Sequence, residues 1–150
     1  MLQSNLNPEK YLPLINWSES DFKTKDAETV ARTFMQAGHY YDTVLKDTEK
    51  AMPLYYIGMQ YAFKVLDWQP ERWATLFVRV LIILRKNRQF DKEIALLEEV
   101  IPRFPYLAKY HKWQNRLGKA QKLAEKQSKS TTSKRSGIRG LLRLLMNILS

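Results

Sequence analysis

The chain has 150 residues, a formal net charge of +10 and no cysteine. This length suits a single domain with one hydrophobic core, and the lack of cysteine excludes disulfides, thiolate nucleophiles and cysteine-ligated metal centres. Residues 1–10 lack the pattern of a secretory signal, and the longest apolar run, residues 76–84, is far shorter than the roughly 20 residues of a membrane-spanning helix, so a cytoplasmic protein is expected.

The positive charge is concentrated in the last third of the chain. Residues 1–102 contain 13 lysines and arginines against 14 acidic residues, whereas residues 103–150 contain 12 against one, Glu125. A near-neutral body with a strongly basic C-terminal part is typical of proteins that meet an anionic partner. Phosphate, acidic lipid and an acidic protein surface all fit that description.

The pattern of apolar residues predicts an all-α protein. These residues recur at spacings of three and four, and the sequence contains no Asn-Gly or Asp-Gly hairpin signal. Pro53, Pro70 and Pro105 are each predicted in a first helical turn, where proline is tolerated, and the short connections predict antiparallel hairpins. The predicted helices are residues 26–37, 41–51, 53–67, 70–86, 91–101, 105–126 and 137–149.

The predicted organisation has four parts. A lead segment is expected at residues 1–23 and a domain of stacked helical hairpins at residues 24–126. A flexible basic linker follows at residues 127–136, because that Lys/Ser/Thr segment has almost nothing to bury. A short amphipathic helix at residues 137–150 ends the chain.

Residues 74–105 contain a pattern of apolar and turn residues that matches a known repeat. Its members are Phe77, Val80, Leu81, Leu84, the run Arg-Gln-Phe-Asp-Lys-Glu-Ile at residues 88–94, Leu97, Val100, Ile101 and Pro105. The segment resembles a tetratricopeptide repeat, with Phe90 as the aromatic residue at the turn. It departs from the family at Glu93 and Leu81, where small residues are expected.

An earlier segment, residues 24–57, resembles the same repeat. Its matching residues are Ala27, Val30, Ala31, Phe34, Gly38, Tyr40 and Pro53. Thr43, Asp47 and Lys50 are off-pattern. The two signatures are about 50 residues apart instead of the roughly 34 of this family, so a further helix pair is expected between them.

The resemblance implies a short superhelix whose first helices line a partner-binding groove, closed by the helix at residues 105–126. The groove residues that it implies are Arg32, Val78, Ile82 and Arg85. The apolar Val78 and Ile82 depart from the basic and asparagine residues with which members of the family clamp peptide carboxylates. That activity is therefore not expected here.

The helix predicted at residues 105–126 has two faces. The face predicted to be buried consists of Tyr106, Tyr110, Trp113, Leu117, Ala120 and Ala124, at alternating steps of four and three. The second face is a basic stripe, predicted to bind an anionic partner, and consists of Lys109, Lys112, Arg116, Lys119, Lys122 and Lys126. Solvated helix faces usually mix both signs, which favours anion binding by this stripe, and a role in solubility alone is the alternative interpretation.

The last helix is predicted to dock through apolar side chains. They are Ile138, Leu141, Leu142, Leu145 and Leu149. The surface that receives them is the open end of the same molecule, the groove of a protein partner, or an anionic membrane interface with the basic linker against the lipid. The sequence leaves these three alternatives open.

No catalytic or metal-binding arrangement is recognisable. His39 and His111 are far apart, and neither has a second histidine or a carboxylate at metal-ligand spacing. The sequence has no glycine-rich phosphate loop and no nucleophile elbow. We therefore expect no enzyme, no cofactor, no metal and no small-molecule substrate.

These observations favour a non-enzymatic helical-repeat adaptor that binds a protein partner and uses its basic C-terminal arm on an anionic partner. One alternative is a nucleic-acid-binding accessory protein that uses the basic stripe of residues 109–126. The other is a peripheral assembly factor that binds an anionic membrane surface through residues 137–150.

Overall fold

The computed structural model describes the backbone of residues 6–65 and 70–149, and the side chains of these residues except at positions 70, 72, 131–147 and 149. Within these residues the protein is all-α, as predicted, and contains no strand. A 3-10 turn, Pro8–Tyr11, precedes the helices. They are α1 (Leu12–Ile15), α2 (Glu19–Thr24), α3 (Ala27–Thr43), α4 (Thr48–Ala62), α5 (Pro70–Lys86), α6 (Phe90–Arg103), α7 (Pro105–Tyr110) and α8 (Trp113–Leu149).

Side-chain caps explain where several helices begin. Ser18 and Asp21 form a reciprocal capping box at the start of α2, with both hydrogen bonds at 3.0 Å. Asp26 caps α3 by accepting from the backbone N–H of Thr29 at 2.8 Å, and Asp47 caps α4 in the same manner. Each cap satisfies an N–H group that has no partner inside its helix.

Helices α3 and α4 form a tight antiparallel hairpin. A methyl group at Gly38 would lie 2.7 Å from Cδ1 of Tyr55, and one at Gly58 would lie 3.3 Å from the backbone nitrogen of Met35, so the close approach depends on both glycines. The lead segment covers one side of this hairpin. Its Leu12 is buried in a cluster whose other buried members are Val30, Phe34, Leu54 and Ile57.

Helices α5 and α6 form a second hairpin, which large side chains fill and α8 covers. Phe77 is completely buried, and its ring centroid lies 5.6 Å from that of Phe104 and 6.5 Å from that of Trp113. The ring of Phe63, just after α4, lies 5.7 Å from the ring of Phe77 and joins the two hairpins. Further buried residues of this core are Trp73, Leu76, Leu81, Leu84, Leu96, Leu97 and Val100.

The body of these helices has two distinct ends. Asp42, near the end of α3, accepts a hydrogen bond from Arg79 in the second half of α5. The α3–α4 turn (residues 44–47) and the α5–α6 turn (residues 87–89) therefore lie at the same end of the body. Helix α8 reaches this turn end at Gln127, whose side-chain amide donates to the carbonyl of Arg88 at 3.4 Å. The opposite end, where α6, α7 and α8 meet at residues 104–113, is the corner end.

The first hairpin differs from its prediction. Helix α3 continues through Gly38, where a turn is predicted, and a single helix, α4, replaces the predicted helices 41–51 and 53–67. Gly38 serves the close approach of Tyr55 rather than a turn. Pro53 is the sixth residue of α4, where it removes only the hydrogen bond to a first-turn carbonyl. No further helix pair lies between the two hairpins within the described residues.

The predicted helix 105–126 is broken. Helix α7 ends at Tyr110, and Lys112 adopts a left-handed backbone conformation with φ of 56° before α8 begins at Trp113. A right-handed helix cannot pass through such a residue, so the side chains before and after it belong to differently oriented helices. The prediction that Tyr106 and Tyr110 are buried on one face with Trp113 is therefore wrong, because both tyrosines are exposed.

Helix α8 also continues through residues 127–136, where a linker is predicted, and through the start of the predicted last helix. This segment contains no proline, and the two glycines that follow it, Gly137 and Gly140, each cost a helix only about 1 kcal/mol. The boundaries predicted at residues 127 and 137 are thus not helix boundaries. No helix within the described residues has the length and apolar character to cross a membrane.

Candidate functional site

The six cations of the predicted basic stripe do not share one helix face. Lys109 belongs to α7, Lys112 lies at the break, and the other four belong to α8. Lys119, Lys122 and Lys126 are exposed on α8, whereas Arg116 is half-buried. The stripe is therefore a group of three lysines along α8 and a separate pair at the corner end.

Arg116 is withdrawn from the surface by a completely buried carboxylate, Glu93. Its Nε donates to Oε2 of Glu93 at 2.8 Å, and its Nη2 donates to the carbonyl oxygen of Leu81 at 2.8 Å. Burial lowers the pKa of the Arg116 guanidinium from its ordinary value, and the Glu93 carboxylate opposes that shift. Arg116 thus joins α8 to the second hairpin.

Arg85, a predicted groove residue, contacts the same carboxylate. Its Nη2 lies 2.9 Å from Oε2 of Glu93, its Nε lies 3.1 Å from Oε1, and Nη2 also donates to the carbonyl of Arg116 at 3.0 Å. The cluster of Arg85, Glu93 and Arg116 ties α5, α6 and α8 together. Sequence analysis treats Glu93 only as a departure from the repeat pattern, because its partners lie 8 and 23 residues away.

The other predicted groove residues have mixed environments. Arg32 is exposed and pairs with Glu28 on the same helix at 2.8 Å. Val78 is half-buried against the core, and Ile82 is exposed. Arg32 and Ile82 are therefore the predicted groove residues with accessible side chains, and they lie on different hairpins.

A second buried carboxylate, Asp42, joins α3, α4 and α5. The phenol of Tyr55 donates to Oδ2 of Asp42 at 2.9 Å, and the guanidinium of Arg79 donates to the same oxygen from Nη2 at 2.6 Å. Burial, together with the hydrogen bond to the Asp42 carboxylate, raises the pKa of Tyr55 well above its ordinary value. Both buried carboxylates are satisfied inside the protein, which indicates structural roles.

One exposed apolar surface lies at the turn end. Tyr40, Val44 and Leu45 are 50%, 62% and 50% exposed, and they are neighbours because the N–H groups of Val44 and Leu45 both donate to the carbonyl of Tyr40. We call these three residues the turn patch. Sequence analysis missed it, although an apolar Val-Leu pair beside Lys46 and Asp47 in a turn is a usable signal.

A second exposed surface lies at the corner end. Tyr106 and Tyr110 of α7 are 69% and 71% exposed, and Lys109 and Lys112 beside them are also exposed. The ring of His111 stacks on that of the buried Trp113 at 5.6 Å and meets the ring of Tyr110 edge-on at 4.9 Å. We call Tyr106, Lys109, Tyr110, His111 and Lys112 the corner surface.

The predicted apolar docking residues are all in α8, but their side chains lie outside the described residues. They are Ile138, Leu141, Leu142, Leu145 and Leu149. Ile148, whose side chain is described, is 76% exposed. The choice among the same molecule, a protein partner and a membrane therefore remains a prediction.

The length of α8 takes it beyond the body. Its 37 residues extend about 56 Å, whereas the 17 residues of α5 extend about 26 Å. Since Gln127 already lies at the turn end, the 22 residues from Ser128 to Leu149 continue for about 33 Å past it. Helix α8 is thus a body helix in its first part and an arm in its second.

Comparison of the chain with protein-family models, with curated proteins and with solved structures finds no match. The resemblance to tetratricopeptide repeats accordingly remains a prediction. Among the described residues, no group of histidine and acidic side chains is arranged to hold a metal ion. The candidate site is built from exposed surfaces, which are the turn patch, the corner surface and α8.

Proposed function

We propose that this protein is a non-enzymatic helical adaptor of the cytoplasm that binds a protein partner at its turn end. The observation that carries this proposal is the turn patch, in which three large apolar side chains are exposed together. Clusters of exposed apolar side chains are typical of protein interfaces, whereas single exposed apolar residues are normal on any surface. The partner in this proposal has an apolar centre that covers the patch.

The charges around the turn patch support a partner with an acidic rim. Lys46, Lys86 and Arg88 are exposed at this end, and the arm of α8 leaves the body here. Residues 126–150 contain six lysines and arginines and no acidic residue. In this proposal the arm is the second contact, to an anionic partner, and charge complementarity mainly accelerates and selects the encounter.

The architecture also supports an adaptor of repeat type. Two antiparallel hairpins in tandem, covered by a further helix, bury apolar faces against their neighbours as the units of a helical array do. The turn patch stands on a rigid base, since Asp42 is bonded to Tyr55 and Arg79 two residues before the patch residue Val44. Such preorganisation lowers the conformational entropy lost when a partner binds.

The proposal is tested with tagged full-length protein as bait in the source cell, at low and at high salt. The first variant combines Tyr40→Ser, Val44→Ser and Leu45→Ser. The matched control combines Tyr106→Ser and Tyr110→Ser, which removes exposed apolar surface at the opposite end. Any captured protein is identified, purified and titrated against all three forms by calorimetry.

We expect the turn-patch variant to bind the purified partner at least tenfold more weakly, while the control variant binds like the wild type. Deletion of residues 128–150 from the turn-patch variant should weaken binding of the partner further and reduce the salt dependence of that binding. Equal affinity of the turn-patch variant and the wild type would contradict the proposal. So would an equal loss in both variants, because the turn patch would then have no special part in binding.

A further inference from the structure

The corner surface combines exposed aromatic rings with uncompensated positive charge. Tyr106 and Tyr110 are one helical turn apart, which places their Cβ atoms about 6 Å apart on the same face of α7. Lys109 lies between them in sequence, and Lys112 follows at the break. Two neighbouring tyrosines with about 70% exposure contribute little to the core, so the fold itself does not explain them.

Among the described residues, no acidic side chain forms an ion pair with Lys109 or Lys112. Residues 100–124 contain six lysines and arginines and no aspartate or glutamate, and two of the six, Arg103 and Arg116, are paired with acidic residues outside this range. The nearest acidic residues on either side are engaged, Glu99 by Arg103 at 2.7 Å and Glu125 by Lys129 at 3.1 Å. A ligand of the corner surface therefore carries negative charge.

The ring of Tyr110 contacts a histidine that itself packs on the core. His111 stacks on Trp113 with an angle of 18° between the rings, and Trp113 is completely buried in the core of the second hairpin. The edge-on contact of His111 with Tyr110 limits the positions that the Tyr110 ring adopts beside the break. A ring held in this way loses little conformational freedom when a planar group stacks on it.

We propose that the corner surface binds single-stranded nucleic acid, with bases stacked on Tyr106 and Tyr110 and phosphates contacted by Lys109 and Lys112. Exposed aromatic rings beside lysines are the usual means of binding single strands without sequence preference. A duplex offers only its phosphates to such a surface and leaves the tyrosine rings without a role.

The lysines along α8 are a separate group of exposed cations on the helix that begins at the corner end. Lys119, Lys122 and Lys126 are exposed and follow one another at steps of three and four, so they share a face of α8 that starts beside the corner. A strand that stacks on the two tyrosines continues along these lysines toward the turn end. The inference adds a nucleic-acid ligand at the corner end of the proposed adaptor and rests on that proposal for its setting, although its test requires no protein partner.

The test measures fluorescence anisotropy of a labelled oligothymidine of about 20 nucleotides with the purified full chain, at about 50 and about 200 mM salt. A duplex of the same length and polyglutamate serve as competitors. We expect the single strand to bind more tightly than the duplex. Tyr106→Leu with Tyr110→Leu should weaken binding about tenfold for each tyrosine, because each loses one stacked base.

Matched variants separate stacking from charge and from folding. Tyr106→Phe with Tyr110→Phe keeps both rings and should bind within about twofold of the wild type, and Tyr40→Leu at the turn end should leave binding unchanged. Lys109→Ala with Lys112→Ala should reduce the salt slope by about 1.4, at about 0.7 per phosphate contact. Circular dichroism checks that each variant remains folded.

Three results would overturn the inference. They are absence of binding to the oligothymidine at the lower salt concentration, equal affinity of the leucine and phenylalanine variants, and equal competition by duplex or by polyglutamate. The last result would indicate a surface that attracts any polyanion. None of them bears on the turn patch, so a failure here leaves the protein-binding proposal to its own experiment.

Discussion

The two helical hairpins are held together in opposite ways. In the first, Gly38 and Gly58 let α3 and α4 approach so closely that a single added methyl group would collide with a neighbour. In the second, α5 and α6 are kept apart by large rings such as Phe77, and α8 is needed to complete the core with Trp113. The first hairpin thus depends on the missing side chains of two glycines, whereas the second depends on large aromatic side chains that fill its core.

Each buried carboxylate joins its hairpin to a helix outside that hairpin. Asp42 is satisfied within the first three long helices, through Tyr55 and Arg79. Glu93 receives two guanidinium groups, and one of them, from Arg116, comes from α8. The first hairpin is thus tied to α5 and the second to α8, and the second is the hairpin beside both the arm and the corner surface.

The largest effect on stability is expected from removing a large side chain from the core of the second hairpin. Phe77→Ala should lower the free energy of unfolding by about 4 kcal/mol, because a buried ring with three aromatic neighbours is lost and a cavity remains. Urea denaturation measures this change. Phe77→Leu, which keeps most of the volume, should cost less than about 1.5 kcal/mol. Similar losses in both variants would contradict the view that ring volume holds this hairpin together.

Breaking the charge cluster should cost slightly less. Glu93→Ala leaves the guanidinium groups of Arg85 and Arg116 partly buried without their carboxylate, so we expect a loss of about 3 kcal/mol in the free energy of unfolding. Glu93→Gln keeps the shape and should lose less. The double variant Glu93→Ala with Arg116→Ala should not lose the sum of the single effects, because the two residues interact. Additive losses in this double-mutant cycle would show that the cluster does not hold α8.

The glycine interface gives a smaller effect with an internal control. Gly38→Ala and Gly58→Ala should each destabilise the protein by about 1 to 2 kcal/mol, because the added methyl group overpacks the contact of α3 with α4. Gly118→Ala places the same change in α8, where nothing lies within 4 Å, and should stabilise the protein by about 0.5 to 1 kcal/mol through helix propensity. Thermal melts that showed the same sign at all three positions would remove the proposed difference between the hairpins.

Alkaline pH should lower the stability of the first hairpin through Tyr55. Burial raises the pKa of Tyr55, so the phenol ionises more readily in the unfolded chain, and its stabilising contribution is present below about pH 10 and lost as the pH rises above that value. We expect a loss of about 1 kcal/mol by about pH 11 that is missing from Tyr55→Phe. Chemical denaturation of both forms across this range measures the difference. Parallel pH profiles would assign the alkaline loss to other groups.

The sequence predicts those features that depend on local signals. The bounds of α5 agree with the prediction because Pro70 begins the helix and the apolar spacing is regular up to Lys86. The prediction of a turn at Gly38 is wrong. Glycine permits both a turn and a close helix contact, and which of the two forms depends on Tyr55, which is distant in sequence. Local patterns carry no information about such a partner.

The prediction of one continuous basic stripe is wrong for the same reason, because local patterns do not show distant partners. The segment around Lys112 contains no glycine or proline, so nothing local indicates that this lysine takes a left-handed conformation. The inward turn of Arg116 depends on Glu93, which belongs to another helix. The exposed cations at Lys119, Lys122 and Lys126 agree with the predicted face because helical periodicity alone determines their position.

The uninterrupted helix α8 also sets the distance and the direction of the chain end relative to the body. Each residue inserted after Gln127 would move the chain end about 1.5 Å farther from the body and rotate it by about 100° about the helix axis. Seven inserted residues would add about 10.5 Å and return the end to within about 20° of its original phase. A partner that contacts both the turn patch and the end of the chain therefore senses the length of α8 as a distance and its register as a direction.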